Sequence, residues 1–545
     1  QGLFRQRRNV WNQARVTTPV TMPKVNPPRR SLLRAFMASS VGTGLSRFLG
    51  LARELALANV LGAGMVMDAF VMAFTFPGML RRFVADEGLT GALVPAISKA
   101  ETEDGTEAAR QLAGRVLMAL IAVGVLLSTA GILAAPWIVD WVADGFKGEK
   151  YTLTVQLTQV LFPFVIFVSL VSWAEGLLNH KDHFFIPKIA PGLVSATMVA
   201  AVLLYRNQGP IDVVWAVSWA VIIGGAIHLL ICIPPLIKHW GTIRPRFDLS
   251  VDPRFRRVVG EMGKVAIIGL MAQVNTLALR YLASQLAEGS VTWYWNATRL
   301  VDFAQGIIAV GVGSALLPAI SDAVSNNDGD KFRSSFSGAS RLAGALLIPA
   351  AAFILFFPIP CVAVLYRHGA YSWVDVEQTA AALQMLVPFM LALAGIQIVK
   401  KPFFALERRD ALIAVGIFGV GLTVGLGMWL APLMGVQGLS LALSLSTCFQ
   451  LLAYLLLLTR MVPGGLGLKS LIKDCTSMVI STIPAVGSGW LIIQQGQWES
   501  GPSILNFGTL GLAGLVGGMV YVFSAGLLGI KEVRSVIDRI RRKLG

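Results

Sequence analysis

Charge is what this sequence lacks. Only 14% of its 545 residues are Asp, Glu, Lys or Arg, against an average of about 25% in soluble globular chains. With 55% hydrophobic residues, a soluble globular fold is excluded and a polytopic membrane protein is indicated. Cysteine is scarce too. Cys232, Cys361, Cys448 and Cys475 lie far apart, in or beside apolar runs, which excludes a disulfide framework and a zinc-ligand spacing. The five histidines form no cluster with them, so a bound transition metal is not expected. Nucleophile elbow, paired-histidine metal motif and P-loop are all missing. The GxG in "GAGMVMDAFVMAF" (62–74) has no strand before it and reads as a tight outer loop feeding a helix. No enzyme is expected. Acidic residues are outnumbered, giving a net charge of +16. The basic residues fall in short loops between apolar runs, a membrane-topology pattern rather than a nucleic-acid patch.

Apolar runs of roughly 20 residues read as transmembrane helices. They fall near 34–57, 64–84, 112–139, 155–178, 184–205, 212–237, 259–286, 291–320, 340–366, 378–401, 411–431, 437–459, 471–493 and 504–528, which makes about fourteen. The third and ninth are long enough to tilt or protrude. Basic residues gather after the even-numbered spans: Lys99 and Arg110, Lys181, the group from Lys238 to Arg257, Lys331 and Arg333, Arg408 and Arg409, and Arg460 and Lys469. Both termini are therefore expected in the cytoplasm. Residues 1–30 lack a signal peptide's apolar core and cleavage site and read as a basic cytoplasmic tail. The segment 531–545 spaces Val533, Val536, Ile537 and Ile540 helically. It reads equally as a basic amphipathic helix on the inner surface or as a solvated tail.

The chain repeats itself. "ALVPAISKA" (92–100) returns as "ALLPAISDA" (315–323), identical at seven of nine positions. "QVLFPFVIFVSL" (159–170) is similar to "QMLVPFMLALAG" (384–395), and "LLNHKD" (177–182) to "ALERRD" (405–410). Six spans separate the copies. Six is even, so the halves insert the same way round, related by an axis along the membrane normal. The expected architecture is all-α: a six-helix N-lobe (31–257), a six-helix C-lobe (258–465) and two appended helices (466–530), flanked by tails 1–30 and 531–545. Duplicated bundles of this kind bind their substrate between the halves near the bilayer midplane.

Charge inside a span costs about 2.5–3.5 kcal/mol at the helix centre on insertion scales, so its placement is informative. It concentrates in spans 1, 2, 7 and 8. In "SRFLGLAREL" (46–55), Arg47 and Glu54 share one helical face, and Ser46 and Arg53 the adjoining one. Arg47 lies roughly 20 Å along the helix. Gly42, Gly44 and Gly50 permit close helix approach or bending. Span 2 holds Asp68 near its outer end and Arg81 and Arg82 at its inner end, followed by Asp86 and Glu87; span 7 holds Asn275 and Arg280; span 8 holds Arg299 and Asp302. Glu175 lies in span 4, and Lys400 and Lys401 close span 10. An excess of arginine suits an anionic ligand, because the guanidinium fork grips phosphate with two hydrogen bonds and stays charged when desolvated. Arg47, Arg53, Arg81 and Arg299 are the candidates to line a cationic cavity. Internal salt bridges that only fix packing, such as Arg299 with Asp302, are the alternative.

Residues 46–101, "SRFLGLARELALANVLGAGMVMDAFVMAFTFPGMLRRFVADEGLTGALVPAISKAE", resemble the first two helices of the MurJ (MviN) family, and "SVTWYWNATRLVDFAQGIIAVGVGSALLPAISD" (290–322) resembles its eighth. The likeness extends over about 31–530. Members are bacterial lipid II flippases, in a superfamily with multidrug/toxic-compound extruders and oligosaccharide flippases. The resemblance implies two lobes around a cavity open alternately to each side of the cytoplasmic membrane, with helices 13 and 14 forming a groove for a polyprenyl tail. It places substrate-binding roles on Ser46, Arg47, Arg53, Arg81 and Arg299, and acidic cavity or gating roles on Asp68, Asp86 and Asp302. Where several members have an aspartate before the helix-8 arginine, this sequence has Thr298. The resemblance also brings a possible sodium ion between helices 7 and 11, for which Asp410 is the candidate ligand. Arg280 is not part of the family pattern.

On this reading the substrate is lipid II, an undecaprenyl-diphosphate-linked disaccharide pentapeptide. Arg47, Arg53 and Arg299 bind the diphosphate, Arg81 recruits it, and Asp68 and Asp302 pair with the arginines when the cavity is empty. Two other readings compete: a cation-coupled drug exporter or O-antigen flippase of the same superfamily, and a scaffold for other wall-synthesis proteins. A cavity for organic cations needs acids and aromatics, whereas arginines predominate here. Glu54 stays open between a partner that holds Arg47 and a carboxylate that repels the departing head group.

Overall fold

The computed structural model describes residues 29–81, 90–181, 183, 185–246, 260, 273–326, 328–406, 408–462, 465–530 and 533–534. Both basic tails, almost in full, and Asp86 lie outside these residues. The described chain is helical throughout its ordered elements: α1 (Arg29–Leu61), α2 (Met65–Arg81), α3 (Thr90–Val142), α4 (Gly148–Leu161), α5 (Phe164–His180), α6 (Phe185–Ile189), α7 (Pro191–Tyr205), α8 (Pro210–Trp240), α9 (273–284), α10 (Ser290–Ser325), α11 (Gly329–Phe356), α12 (Pro358–Tyr366), α13 (Trp373–Met385), α14 (Val387–Ala405), α15 (Arg409–Met434), α16 (Val436–Met461), α17 (Leu468–Ile493) and α18 (Ile504–Leu527).

Proline sets several boundaries. It lacks an N–H and crowds the preceding turn, so it starts a helix more readily than it continues one. Span 4 breaks into α4 and α5 at Phe162–Pro163, and span 10 into α13 and α14 at Leu386, just before Pro388. Span 9, expected as one long helix, ends at Phe356 and restarts at Pro358 as α12. Span 3 runs into a longer element whose first part is set off by Gly105 at φ 84°, a backbone conformation that favours glycine.

Among the described residues, ten helices are long and apolar enough to cross a membrane, with Met65–Met79 a shorter apolar helix. This is a multi-pass membrane protein. The count of fourteen is not reached by that measure, and the shortfall falls on spans 1, 2, 7 and 8, the ones that carry charge. Span 2 yields a helix of 17 residues, and span 7 lies only partly within the described residues.

The chain divides into two compact units, one comprising the described residues up to Thr292 with Gly369–Tyr371, the other Trp293–His368 and the described residues from Ser372 onward. In the first, α7 packs on α8, α5 on α8 and on α3, α1 on α7, and α2 on α4. Leu93, Ile97, Leu112, Val116, Trp173, Leu177, Cys232 and Trp240 form its core where α3, α5 and α8 meet. In the second, α15 packs on α16, α14 on α16, α17 on α18, and α11 on α17. The sequence repeat therefore returns as helix boundaries: α4 and α13 begin at 148 and 373, and α5 and α14 end at 180 and 405. Pairing repeats with them, since α5–α8 and α7–α8 correspond to α14–α16 and α15–α16.

Helices α17 and α18 meet through Met478, Ala485, Tyr521 and Ala525, and Ser524 Oγ donates to the Ser481 carbonyl at 3.0 Å. Arg341 of α11 ties α17 down, with Nε 2.6 Å from Asp474 and Nη2 donating to Ser470 Oγ at 3.1 Å.

Candidate functional site

The basic-loop pattern defines two ends for the first unit. At the end opposite the basic loops, Asp68 sits one turn inside α2, 1% exposed. Its carboxylate accepts four hydrogen bonds: from Lys150 Nζ at 2.7 Å, Gly289 N at 2.9 Å, Thr292 N at 2.9 Å and Thr292 Oγ1 at 2.6 Å. Thr292 and Gly289 belong to the first turn of α10 and the residue before it, so Asp68 caps a helix other than its own. The favour is returned. Glu288 Oε1 accepts from Met65 N, the first residue of α2, at 2.8 Å. Each helix start receives a carboxylate from the other segment, which satisfies orphan N–H groups and sets negative charge at a positive dipole end. Lys150 supplies the remaining countercharge and lies over the Phe146 ring at 4.1 Å. Glycine permits the tight packing around this hub. Gly62 has φ +63° and a Cβ there would fall 2.6 Å from the Ala370 carbonyl oxygen; one on Gly145 would fall 2.1 Å from that of Ser284.

Asp68 was expected to pair with an arginine; its partner is Lys150. The reason is reach, since α4 packs directly on α2 and delivers its first-turn lysine. Lys150, Glu288 and Thr292 were not singled out by the sequence. A signal existed in the numbering: Met65 and Glu288 are 223 residues apart, the spacing of the repeat.

On α1 the charges are arranged differently. Arg53 Nη2 lies 2.5 Å from Glu54 Oε1, and Nη1 is 3.5 Å from Ser195 Oγ of α7. Glu54 is buried, 4% exposed. This settles its partner as Arg53 rather than Arg47. Arg47 is exposed and makes no hydrogen bond or ion pair with the described residues. Ser46 faces α7, where the absent side chain of Gly192 lets the helices close: a Cβ there would lie 3.2 Å from Ser46 Cα. Of the three α1 glycines, only Gly42 occupies a close contact, 3.0 Å from Lys188 Cβ, while Gly44 and Gly50 border open space. Arg280 of α9 is 4% exposed, with Nη1 3.5 Å from the Val291 carbonyl.

In the second unit, Arg299 stacks on Trp295 with the guanidinium carbon 3.8 Å from the ring centroid, and its Nη1 is 3.2 Å from Asp302. Its side chain keeps 30% of its surface exposed and that of Asp302 55%. Cation–π stacking with one exposed carboxylate fixes the plane of the guanidinium while leaving it accessible. Thr298 spends its hydroxyl on the Trp295 carbonyl at 2.8 Å. Trp293 Nε1 donates to Asp375 at 2.9 Å, and Asp375 also forms a capping box with Ser372. Arg81 ends α2, but its side chain lies outside the described set. Asp410 is 71% exposed and pairs with Arg408 at 3.4 Å. Already neutralised and open to solvent, it does not fit a buried sodium site. Among the described residues no three His, Cys, Asp or Glu side chains gather as metal ligands.

Two guanidinium-bearing elements with accessible donors, α1 and α10, thus belong to a helical scaffold that repeats itself. That scaffold is found in transporters. A multidrug resistance MATE family transporter of the MOP superfamily, in an inward-facing conformation, superposes with a TM-score of 0.60 over 78% of this chain and 97% of that one, at 16% identity. The fold is accordingly one that this protein shares with a multi-pass membrane transporter. A structure described as lipid II flippase MurJ in an inward closed conformation matches more extensively, with a TM-score of 0.77 over 92% of this chain and all of that one, at 20% identity. The family of lipid II flippase MurJ matches residues 57–508. The lipid II flippase MurJ of Burkholderia cenocepacia is 30% identical over 77% of this chain and 82% of its own length, and a probable lipid II flippase MurJ of Rhizobium tropici is 28% identical over 94% and 97%. The chain belongs to the lipid II flippase MurJ family.

Proposed function

We propose that the protein carries lipid II from the inner to the outer leaflet of the bacterial cytoplasmic membrane, for peptidoglycan synthesis, with both termini in the cytoplasm. The observation that carries the reading is the α1 arginine pair. Arg53 is held by Glu54 and Ser195, while Arg47 stands exposed beside it with its five donors unspent on the described residues. The head group cannot cross hydrocarbon, because its charges and polar groups would lose water. A wet cationic surface substitutes for that water. Arg47 binds diphosphate bidentately, Arg53 adds positive potential, Arg299 presents a second oriented guanidinium, and Arg81 recruits the head group at the inner mouth. The prenyl chain stays in lipid along α17 and α18.

Alternating access moves the site from one side to the other. The reciprocal caps of Asp68 and Glu288 hold the starts of α2 and α10 together at the end of the first unit opposite the basic loops. An inside-negative potential favours outward movement of the anionic head group, since one elementary charge crossing 100 mV is worth about 2.3 kcal/mol. Lipid II flipping in proteoliposomes, with and without an imposed potential, tests the reading. Flipping that needs the protein and rises with an inside-negative potential is expected. Unchanged flipping by both Arg47→Ala and Arg299→Ala would remove the assigned site.

A further inference from the structure

Span 10, made of α13 and α14, is opened by a side chain from another helix. In an unbroken helix the Phe389 N–H would donate to the carbonyl of Met385, four residues back. Ser444 of α16 stands between them. Its hydroxyl donates to the Met385 carbonyl at 2.5 Å and accepts from Phe389 N at 3.3 Å. Insertion of a side chain into the backbone ladder is one of the few causes of a sharp helix bend. Pro388 removes a neighbouring ladder donor. Cys448, one turn further along α16, places its Sγ 3.8 Å from the Pro388 carbonyl.

The break in span 4, between α4 and α5, is held otherwise. There the Phe162 carbonyl takes a backbone donor, Val165 N at 3.0 Å, and Ser128 Oγ of α3 donates to it as well at 3.2 Å. That hydroxyl adds a bond to the break without standing in for one. The two breaks share a glutamine. Gln159 Nε2 donates to the Ile132 carbonyl of α3 at 3.3 Å, and Gln384 Nε2 to the Leu355 carbonyl of α11 at 3.0 Å. These glutamines correspond in the sequence repeat, so anchoring to an earlier helix is common to both halves. The inserted serine is what differs.

An inserted hydroxyl makes a break that can close again. Backbone groups inside a bilayer must be bonded within the protein. Withdrawal of Ser444 lets the Phe389 N–H bond the Met385 carbonyl directly. The serine hydroxyl then back-bonds to the carbonyl one turn earlier on its own helix, that of Ser440, as serine does within helices. The bent and the straight arrangements therefore both satisfy the backbone. Leu386, at the break, already sits near helical geometry with φ −85° and ψ −6°, so a small rotation separates the two.

Helix α10, which carries Arg299, spans this break. Near its start Trp293 Nε1 donates to Asp375 in the first turn of α13 at 2.9 Å. Further along, Gln305 Nε2 donates to the Met390 carbonyl in the first turn of α14 at 3.0 Å. The two anchors lie about 18 Å apart along α10, and Arg299 is midway between them. A change of angle between α13 and α14 pulls on both ends of the segment that holds Arg299. We propose that the break at Leu386 is a hinge, latched by the Ser444 hydroxyl, whose bending displaces the α10 segment bearing Arg299. Its use in transport rests on the flippase reading, whereas the hinge itself does not.

The test places spin labels on α13 and α14 of the full chain in nanodiscs. Noncanonical amino acids at the exposed positions Val374 and Phe404 carry them, which leaves the native cysteines in place. Double electron–electron resonance reads the distance between the labels. Ser444→Ala is expected to shift the population several-fold toward a longer distance, that of the straightened helix, and Ser444→Thr, which keeps the hydroxyl, to hold the unsubstituted distribution. A distribution unchanged by Ser444→Ala overturns the proposal. Pro388→Ala restores a ladder donor while keeping the hydroxyl, and is expected to shift the distance the same way. It decides the matter if Ser444→Ala does not fold, since no shift there overturns the hinge equally. In proteoliposomes, Ser444→Ala and Gln305→Ala are expected to lower the maximal rate of lipid II flipping several-fold at an unchanged half-saturating concentration, the split that marks a moving part rather than a binding residue. Unchanged maximal rates in both overturn the link to Arg299. Absence of flipping by the unsubstituted protein contradicts the flippase reading instead, and the distance measurement still decides the hinge.

Discussion

Asp68 and Arg47 are both charged side chains on helices of the first unit, and the fold treats them in opposite ways. Asp68 is buried and saturated by a lysine, two backbone amides and a hydroxyl. Arg47 is exposed and bonded to none of the described residues. The first arrangement uses charge to hold two helix starts in register, and the second leaves a guanidinium that none of the described residues holds. Arg53 lies between the extremes, anchored by Glu54 and within reach of Ser195, yet 16% exposed. If the contrast is real, damage to folding and damage to transport should separate along this series.

The largest effect on stability is expected at Asp68. Asp68→Ala leaves Lys150 and the α10 amides without their acceptor, and breaking a buried pair in this way costs about 3–5 kcal/mol. Thermal unfolding in detergent should show it, with Lys150→Met less severe because the helix caps survive. A stable Asp68→Ala protein would break the comparison at its structural end. Arg53→Ala should cost about 1–3 kcal/mol, because Glu54 is left buried without its guanidinium. Adding Glu54→Gln should restore most of that stability without restoring flipping, and a double-mutant cycle reads the coupling. Recovery of both stability and flipping would make Arg53 a packing residue only.

Arg47→Ala should change stability by less than about 0.5 kcal/mol, as surface substitutions do, while abolishing flipping. A melting shift comparable to that of Arg53→Ala would place Arg47 in the structural class. The smallest effect is expected at Asp322. The hydrogen bond from Lys331 holds its carboxyl below the usual carboxylate range. A depressed pKa contributes stability above the unfolded value and loses it as pH falls through the folded one. Its side chain is 55% exposed, so its contribution is screened. Asp322→Asn should leave the unfolding midpoint at neutral pH unchanged, and a clear drop would show a structural role that exposure argues against.

The sequence revealed unequal parts of this picture. The apolar runs, the repeat near 225 residues and the concentration of charge in four spans could be read directly, because each is local or periodic. The break at Pro163 and its counterpart before Pro388 were visible only as similar strings until the structure showed both ending a helix. Asp68 stood out, but its partners did not. Lys150 lay in a loop where its charge looked balanced by neighbouring acids, and only the packing of α4 on α2 brings it to Asp68. Glu54 shares a helical face with Arg47, yet the long side chain of Arg53 reaches across the helix surface and takes it, with Ser195 supplied by a helix some 142 residues away in sequence. Side-chain partners across helices depend on topology, which helical spacing does not contain.

The central claim is that the accessible α1 arginine carries the anionic head group. Lipid II flipping by Arg47→Ala in proteoliposomes, compared with unsubstituted protein and protein-free vesicles, tests it most directly. The account predicts flipping at the protein-free level with the unfolding midpoint unchanged. Flipping at the unsubstituted rate would contradict it.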